Sequence, residues 1–285
     1  MAAILPSWII LDPLLISWLQ EDLGRGDHTT MGIFQDRPIS TQGSWVAKES
    51  GIVAGLTLAQ RVFWHLDPTV EFRALVAEGA KVRSGTTIAQ FSGAVQPLLT
   101  GERVALNLGM KLSGIATLTN QYVQQLADLP TQLLDTRKTT PGLRSLEKYA
   151  TAVGGSCNHR LGLDDAVMIK DNHIQAAGGV KAAVDLVRQS IPYTTTVEVE
   201  TTNLAEVKAA IATEVDIIML DNMSLEMMSQ AIQIIRDCSR PIKIEASGNV
   251  TIETIRAIAE TSVDFISTSA TITRSRLLDL SMRFA

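Results

Sequence analysis

A set of charged side chains between residues 137 and 221 has the types and spacing to act on an anion: Arg137, Lys138, His159, Arg160, Lys170, Glu200 and Asp221. The basic members include two planar guanidinium groups, which match carboxylate or phosphate oxygens in bidentate fashion, and Arg103, in the helical pattern before them, is a candidate sixth cation. The two carboxylates offer hard oxygen donors to a hydrated magnesium ion, or a negative field to a developing cation. A lone Arg or Lys on a loop is ordinarily a solvated charge, and Glu200 could simply pair with Lys170. Recurrence at one kind of position is what favours a site.

That position is the end of a strand. Six short apolar runs, each closing on polar residues, follow Pro130: "QLLDTRKT", "DAVMIKDN", "TVEVET", "DIIMLDN", "IKIEASG" and "DFISTSA". Between them lie stretches with apolar residues at helical spacing, and Thr140 before Pro141, Asn203 with Glu206, Ser224 and Thr251 supply N-cap chemistry for four of them. Strands alternating with helices predict a parallel sheet. Because every run carries its polar residues at the same end, an α/β barrel is expected, with Lys138, Lys170, Glu200, Asp221, Ser247 and Thr268 facing one mouth. A doubly wound dinucleotide fold would need a glycine fingerprint after its first strand, and "DTRKTTPG" is not one.

The last two mouth loops differ in character. "EASGNVT" and "STSATIT" bring small residues, among them Ser247, Gly248, Asn249, Ser267 and Ser269, and backbone N–H groups near helix starts, which suits a phosphate cradle. Asp135 is read only as an anchor of its strand end. His28 is read as a turn contact, His65 as packing, and Trp8 and Trp18 as packing residues of an amphipathic N-terminal helix.

The 285 residues carry a formal charge of −5 with 46% hydrophobic and 19% charged content, which excludes a disordered chain and argues against a general nucleic-acid or anionic-membrane binder. An anion site must then be a local cluster of cations. Two cysteines, Cys157 and Cys238, suggest neither a disulfide framework nor a four-ligand zinc site, and a reducing cytoplasm is expected. The apolar N-terminal stretch lacks a basic start and is broken by Pro6, Asp12 and Pro13, so neither a signal peptide nor a membrane span is expected. Glycine and β-branched residues from about 40 to 100 predict a small mixed α/β unit on an antiparallel sheet. The expected division is 1–115 for this N-terminal domain and 116–285 for the barrel, with the C-terminal tail packing on the N-terminal domain.

The strings "EDLGRGDHTT", "ERVALNLGMKLSGIAT", "DTRKTTPGLR", "NHR", "VMIKDNH", "EVE", "MLDNM" and "EASGNV", in this order from about residue 20 to near the C-terminus, resemble the quinolinate phosphoribosyltransferase family, the carboxylating nicotinate-nucleotide pyrophosphorylases. The resemblance implies an N-terminal sandwich-like domain, an incomplete α/β barrel whose mouth is the active site, and a homodimer in which one subunit completes the other's site. It implies a cytoplasmic, magnesium-dependent transfer of phosphoribosyl from phosphoribosyl pyrophosphate to quinolinate, with decarboxylation, in pyridine nucleotide synthesis. By position, it places Arg137, His159, Arg160 and Lys170 on quinolinate, with Arg103 reaching in from the partner subunit, and Lys138 near both substrates. It places Glu200 and Asp221 with magnesium and the ribose, and Ser247, Gly248 and Asn249 on the 5-phosphate. Ser269 stands where many relatives have glycine and Arg274 near where histidine is commoner, so the last phosphate loop departs from the pattern. Competing readings are a phosphoribosyltransferase for another ring acid, a Schiff-base aldolase using Lys138 or Lys170, and a non-catalytic molybdenum-transport-associated homologue.

Overall fold

The computed structural model describes residues 3–34, 37 and 39–285. They divide into two compact units, the first taking residues up to 120 with 145–155 and 274–285, the second 121–144 and 156–273. The 30-residue helix Val95–Gln124 runs through the expected boundary at 115. Helix Arg144–Val153, read from sequence as one of the barrel's, groups almost wholly with the first unit.

In the first unit, strands β1 (Ser40–Ala47), β3 (Glu71–Ala74) and β5 (Thr87–Ala94) join a C-terminal strand, Leu280–Phe284, in an antiparallel sheet with that last strand at one edge. The short strands β2 (Gly51–Ile52) and β4 (Lys81–Val82) pair separately. Alternation turns Trp45 and Ala47 inward, both fully buried, and Phe72 meets the Trp45 ring edge-on at 5.4 Å while stacking on Phe63. Helix Trp8–Leu23 buries Leu11, Leu15 and Leu19, a four-residue repeat that places them on one face. His65, expected to pack, also meets Asp12 at 3.0 Å, and Asp12 holds Arg61 between the Trp8 and Trp64 rings.

Inside helix Val95–Gln124, a Cβ on Gly114 would overlap the Arg276 carbonyl oxygen. Alanine is the better helix former by about 1 kcal/mol, but displacing a backbone carbonyl costs about 2 kcal/mol or more, so the clash decides the sign. Gly114→Ala is expected to lower the melting temperature by several degrees in thermal unfolding.

The second unit contains all six strands read from the sequence: β6 (Gln132–Leu134), β7 (Val167–Ile169), β8 (Val197–Thr201), β9 (Ile217–Asp221), β10 (Lys243–Ser247) and β11 (Phe265–Ser267). Every pairing is parallel, in the order β6-β11-β10-β9-β8-β7. The barrel is therefore open between β6 and β7. The segment after Gly155 runs beside the free edge of β6: the Cys157 N–H donates to the Leu133 carbonyl, and the Asp135 N–H to the Cys157 carbonyl. Val197, Val199, Ile218, Leu220, Ile244 and Ala246 are fully buried on one face of their strands. The alternate positions carry Glu198, Glu200, Met219, Asp221, Glu245 and Ser247. Asn203 and Ser224 cap helices as expected, accepting backbone N–H groups from Ala205, Glu206 and Met227. The helices after Thr140 and Thr251 instead begin at Arg144 and Ile255.

Candidate active site

At the C-terminal ends of these strands lies a cavity of about 510 Å³, lined by Thr136, Arg137, Lys138, His159, Arg160, Met168, Lys170, Glu200, Met219, Asp221, Asn222, Ser247, Gly248, Asn249 and Ser267. Its size suits a small-molecule site. The strand ends thus bring together every residue of this chain expected at the mouth except Thr268 and Ser269. Thr268 is buried and donates its hydroxyl to the Val250 carbonyl, so it faces away. Ser269 starts helix Ala270–Thr273, accepting the Ile272 and Thr273 N–H groups on its carbonyl. Arg103, expected to act on a partner subunit's site, is exposed on helix Val95–Gln124 of the first unit. Arg274 also belongs to that unit and is exposed.

The cationic wall is built by two loops. Asp135, fully buried at the end of β6, accepts the His159 N–H at 2.9 Å and the Asn158 side chain at 2.6 Å. The anchor expected for a strand end therefore ties down the neighbouring segment and presents His159 and Arg160. Arg160 donates to the Ala166 carbonyl at 2.8 Å. Burial first, then the like charge of Arg137, holds its pKa below the usual arginine range, while Glu198 and Asp165 oppose that shift. Arg137 is more telling, because its Nε is buried with no hydrogen-bond partner. A buried, unsatisfied guanidinium donor is costly unless a ligand satisfies it.

Glu200 and Asp221 stand at the C-terminal ends of the adjacent strands β8 and β9. Lys170 Nζ reaches Glu200 Oε2 at 3.0 Å, and Asp221 Oδ2 accepts from the Asn222 side chain at 2.8 Å. Two carboxylates are too few to cage a cation alone, but they suit magnesium, which keeps several waters and takes further oxygens from a phosphorylated ligand. Ser267 donates its hydroxyl to Ser247 Oγ at 3.0 Å, joining the two small-residue loops at their bases.

Beneath the cations sits a group the sequence reading passed over. His159 Nε2 lies 3.0 Å from Glu198 Oε2 and 3.6 Å from Glu245 Oε2, and both glutamates are buried. The Arg160 N–H donates to His159 Nδ1 at 2.7 Å, so the ring proton sits on Nε2 and points at Glu198. His159, expected among the quinolinate cations, thus has both ring nitrogens engaged with protein. It still lines the cavity, next to Arg160. One oxygen each of Glu198 and Glu245 is buried with no hydrogen-bond partner, and burial, then the like charge of Glu198, pushes the Glu245 carboxyl well above the usual range. Burial and the neighbouring carboxylate thus favour the neutral form of Glu245. The inward glutamates of "TVEVET" and "IKIEASG", set between apolar neighbours, were the available signal.

With its folded pKa raised, Glu245 contributes its full stability below the ordinary carboxylate pKa and loses it as pH rises through the folded value. Glutamine mimics the protonated carboxyl and cannot ionise. Glu245→Gln is therefore expected to melt close to the wild type near about pH 5 and to gain on it as pH rises toward about 8, by calorimetry.

Family models for the quinolinate phosphoribosyl transferase N-terminal domain and C-terminal domain match residues 27–113 and 115–283. A probable nicotinate-nucleotide pyrophosphorylase (carboxylating) of Synechocystis sp. is 60% identical over 280 residues, 98% of this chain and 94% of the relative. One of Bacillus subtilis is 40% identical over 272 residues, 95% and 92% of the two chains. The crystal structure of NadC from Streptococcus pyogenes superposes with a TM-score of 0.93 at 42% identity, covering 98% of this chain and 99% of that one. The mixed α/β architecture, the open parallel barrel and these matches along nearly the whole chain agree: it belongs to the quinolinate phosphoribosyltransferase family.

Proposed function

We propose that the chain transfers phosphoribosyl from phosphoribosyl pyrophosphate to quinolinate and decarboxylates the product, giving nicotinate mononucleotide, pyrophosphate and carbon dioxide. The observation that carries this reading is one cavity of about 510 Å³ lined by Arg137, Lys138, Arg160 and Lys170, with a buried unsatisfied Arg137 donor, together with Glu200 and Asp221. The cations suit a dianionic ring and the carboxylates a magnesium-bound sugar diphosphate.

Arg137, Arg160 and Lys170 hold the two quinolinate carboxylates, and Arg103 of the partner subunit completes that pocket in a homodimer. Ser247, Gly248 and Asn249 offer backbone and side-chain donors to the 5-phosphate, with Ser267 beneath them. Glu200 and Asp221 would hold a magnesium ion, which would supply neutralisation of the diphosphate charge. As the anomeric C–O bond to pyrophosphate breaks, the same two carboxylates stabilise the cationic character left on the ribose. The pyridine nitrogen then forms the new bond to that carbon. The ring nitrogen, now positive, stabilises the electron pair left on the adjacent ring carbon when its carboxylate departs as carbon dioxide, and that carbon then takes up a proton from solvent. The chain's part is orientation and exclusion of water, with no protein nucleophile. No helix among the described residues is long and apolar enough to cross a membrane.

The test is chromatographic. Nicotinate mononucleotide and pyrophosphate should form from quinolinate, phosphoribosyl pyrophosphate and magnesium, and formation should stop when magnesium is chelated. Product formed from nicotinate, with quinolinate untouched, would contradict the assignment.

A further inference from the structure

Between the two halves of the sugar-phosphate site stands Asn222, a residue that nothing above gives a role. Its backbone takes a left-handed conformation, φ 53°, which asparagine tolerates better than most residues, and Asn249 does the same at φ 49°. Its side chain faces two ways. Nδ2 donates to Asp221 Oδ2 at 2.8 Å, while Oδ1 accepts from Asn249 Nδ2 at 3.0 Å. Its backbone N–H donates to the Ser247 carbonyl at 3.0 Å. Between them, Gly248 at φ 95° leaves the room the amide fills, because a Cβ there would overlap Asn222 Oδ1.

We propose that Asn222 is a positioning residue that fixes the distance between the carboxylate at the anomeric end of the sugar and the turn that holds its 5-phosphate. This rests on the reading of the site as one for phosphoribosyl pyrophosphate. An amide suits the task chemically. Its N–H₂ can donate to a carboxylate while its C=O accepts from a neighbouring amide, and it adds no charge beside Asp221. Aspartate would set a second carboxylate against the first, and a shorter side chain would leave the strand end and the turn to move separately. The bridge ties β9 to the end of β10, so the site selects a phosphorylated sugar of one length between its reacting carbon and its phosphate.

Glycine at 222 keeps the left-handed backbone without strain and removes only the bridge, whereas alanine removes the bridge and strains the backbone. Asn222→Gly should raise the KM for phosphoribosyl pyrophosphate about tenfold or more, the size of a lost hydrogen bond to a charged group, with the KM for quinolinate within about twofold and the melting temperature unchanged. Asn249→Gly breaks the same bridge from the other side, again without backbone strain. The double variant Asn222→Gly with Asn249→Gly should be no worse than the more impaired single one. A KM for the sugar diphosphate unchanged in Asn222→Gly, a parallel rise for quinolinate, or losses that add in the double variant would each overturn the role. A wild-type chain with no turnover would instead sink the functional reading, and the bridge with it.

Discussion

Lys138→Ala is expected to lower kcat by about a hundredfold or more while leaving the fold and its melting temperature intact. Lys138 follows β6, its backbone N–H donates to Thr136 Oγ1 at 3.0 Å, and its exposed side chain lines the cavity. Among the described residues it has no ion-pair partner, so its charge is available to a ligand. A preorganised charge at the place where the ring acid meets the departing diphosphate acts on charge that develops in the transition state. Removing one such group typically costs about 10²–10³ in kcat. The side chain is exposed, so stability should not follow activity down. Lys138→Arg should restore only part of the rate, because a planar fork does not reproduce a compact ammonium. A Lys138→Ala enzyme that keeps more than about a tenth of wild-type kcat would remove this residue from the mechanism.

The second large effect is on binding. Arg137→Met should raise the KM for quinolinate about a hundredfold, as expected for losing charge-assisted hydrogen bonds to a carboxylate, with little change in the KM for phosphoribosyl pyrophosphate. The same substitution should leave the melting temperature unchanged or raise it. Arg137 carries a buried donor without a partner and sits against the like charge of Arg160, two features that destabilise the unliganded protein. Methionine keeps the apolar stem and removes both. A structural arginine would behave oppositely, with stability falling and the KM for quinolinate staying put; steady-state kinetics beside calorimetry separates the two.

Much of this arrangement was legible in the sequence because each barrel strand states its own geometry. Runs such as "DIIMLDN" hold buried aliphatic residues at alternate positions and end on a polar side chain, so strand, direction and mouth follow together. Pairing order was less legible. Nothing local in "QLLDTRKT" says that it lies beside β11 or that residues after Gly155 run along its other edge, since both are long-range choices made by packing. The same limit hid the work of Asp135, whose partners His159 and Asn158 lie more than twenty residues away. Thr268 and Ser267 are adjacent in a strand that ends between them, and a one-residue difference decides which faces the cavity. Glu198, Glu245 and Asn222 were visible as letters. Their roles depend on what stands across the barrel, which periodicity along one strand cannot report.

The central claim joins two chemical events, glycosyl transfer and loss of a carboxylate, in one cavity. Quinolinate labelled in the carboxylate next to its ring nitrogen tests both together. Incubated with phosphoribosyl pyrophosphate and magnesium, the protein should release labelled carbon dioxide and pyrophosphate in equal amounts, and neither when phosphoribosyl pyrophosphate is omitted. Pyrophosphate without labelled carbon dioxide, or neither product from folded protein, would contradict the account.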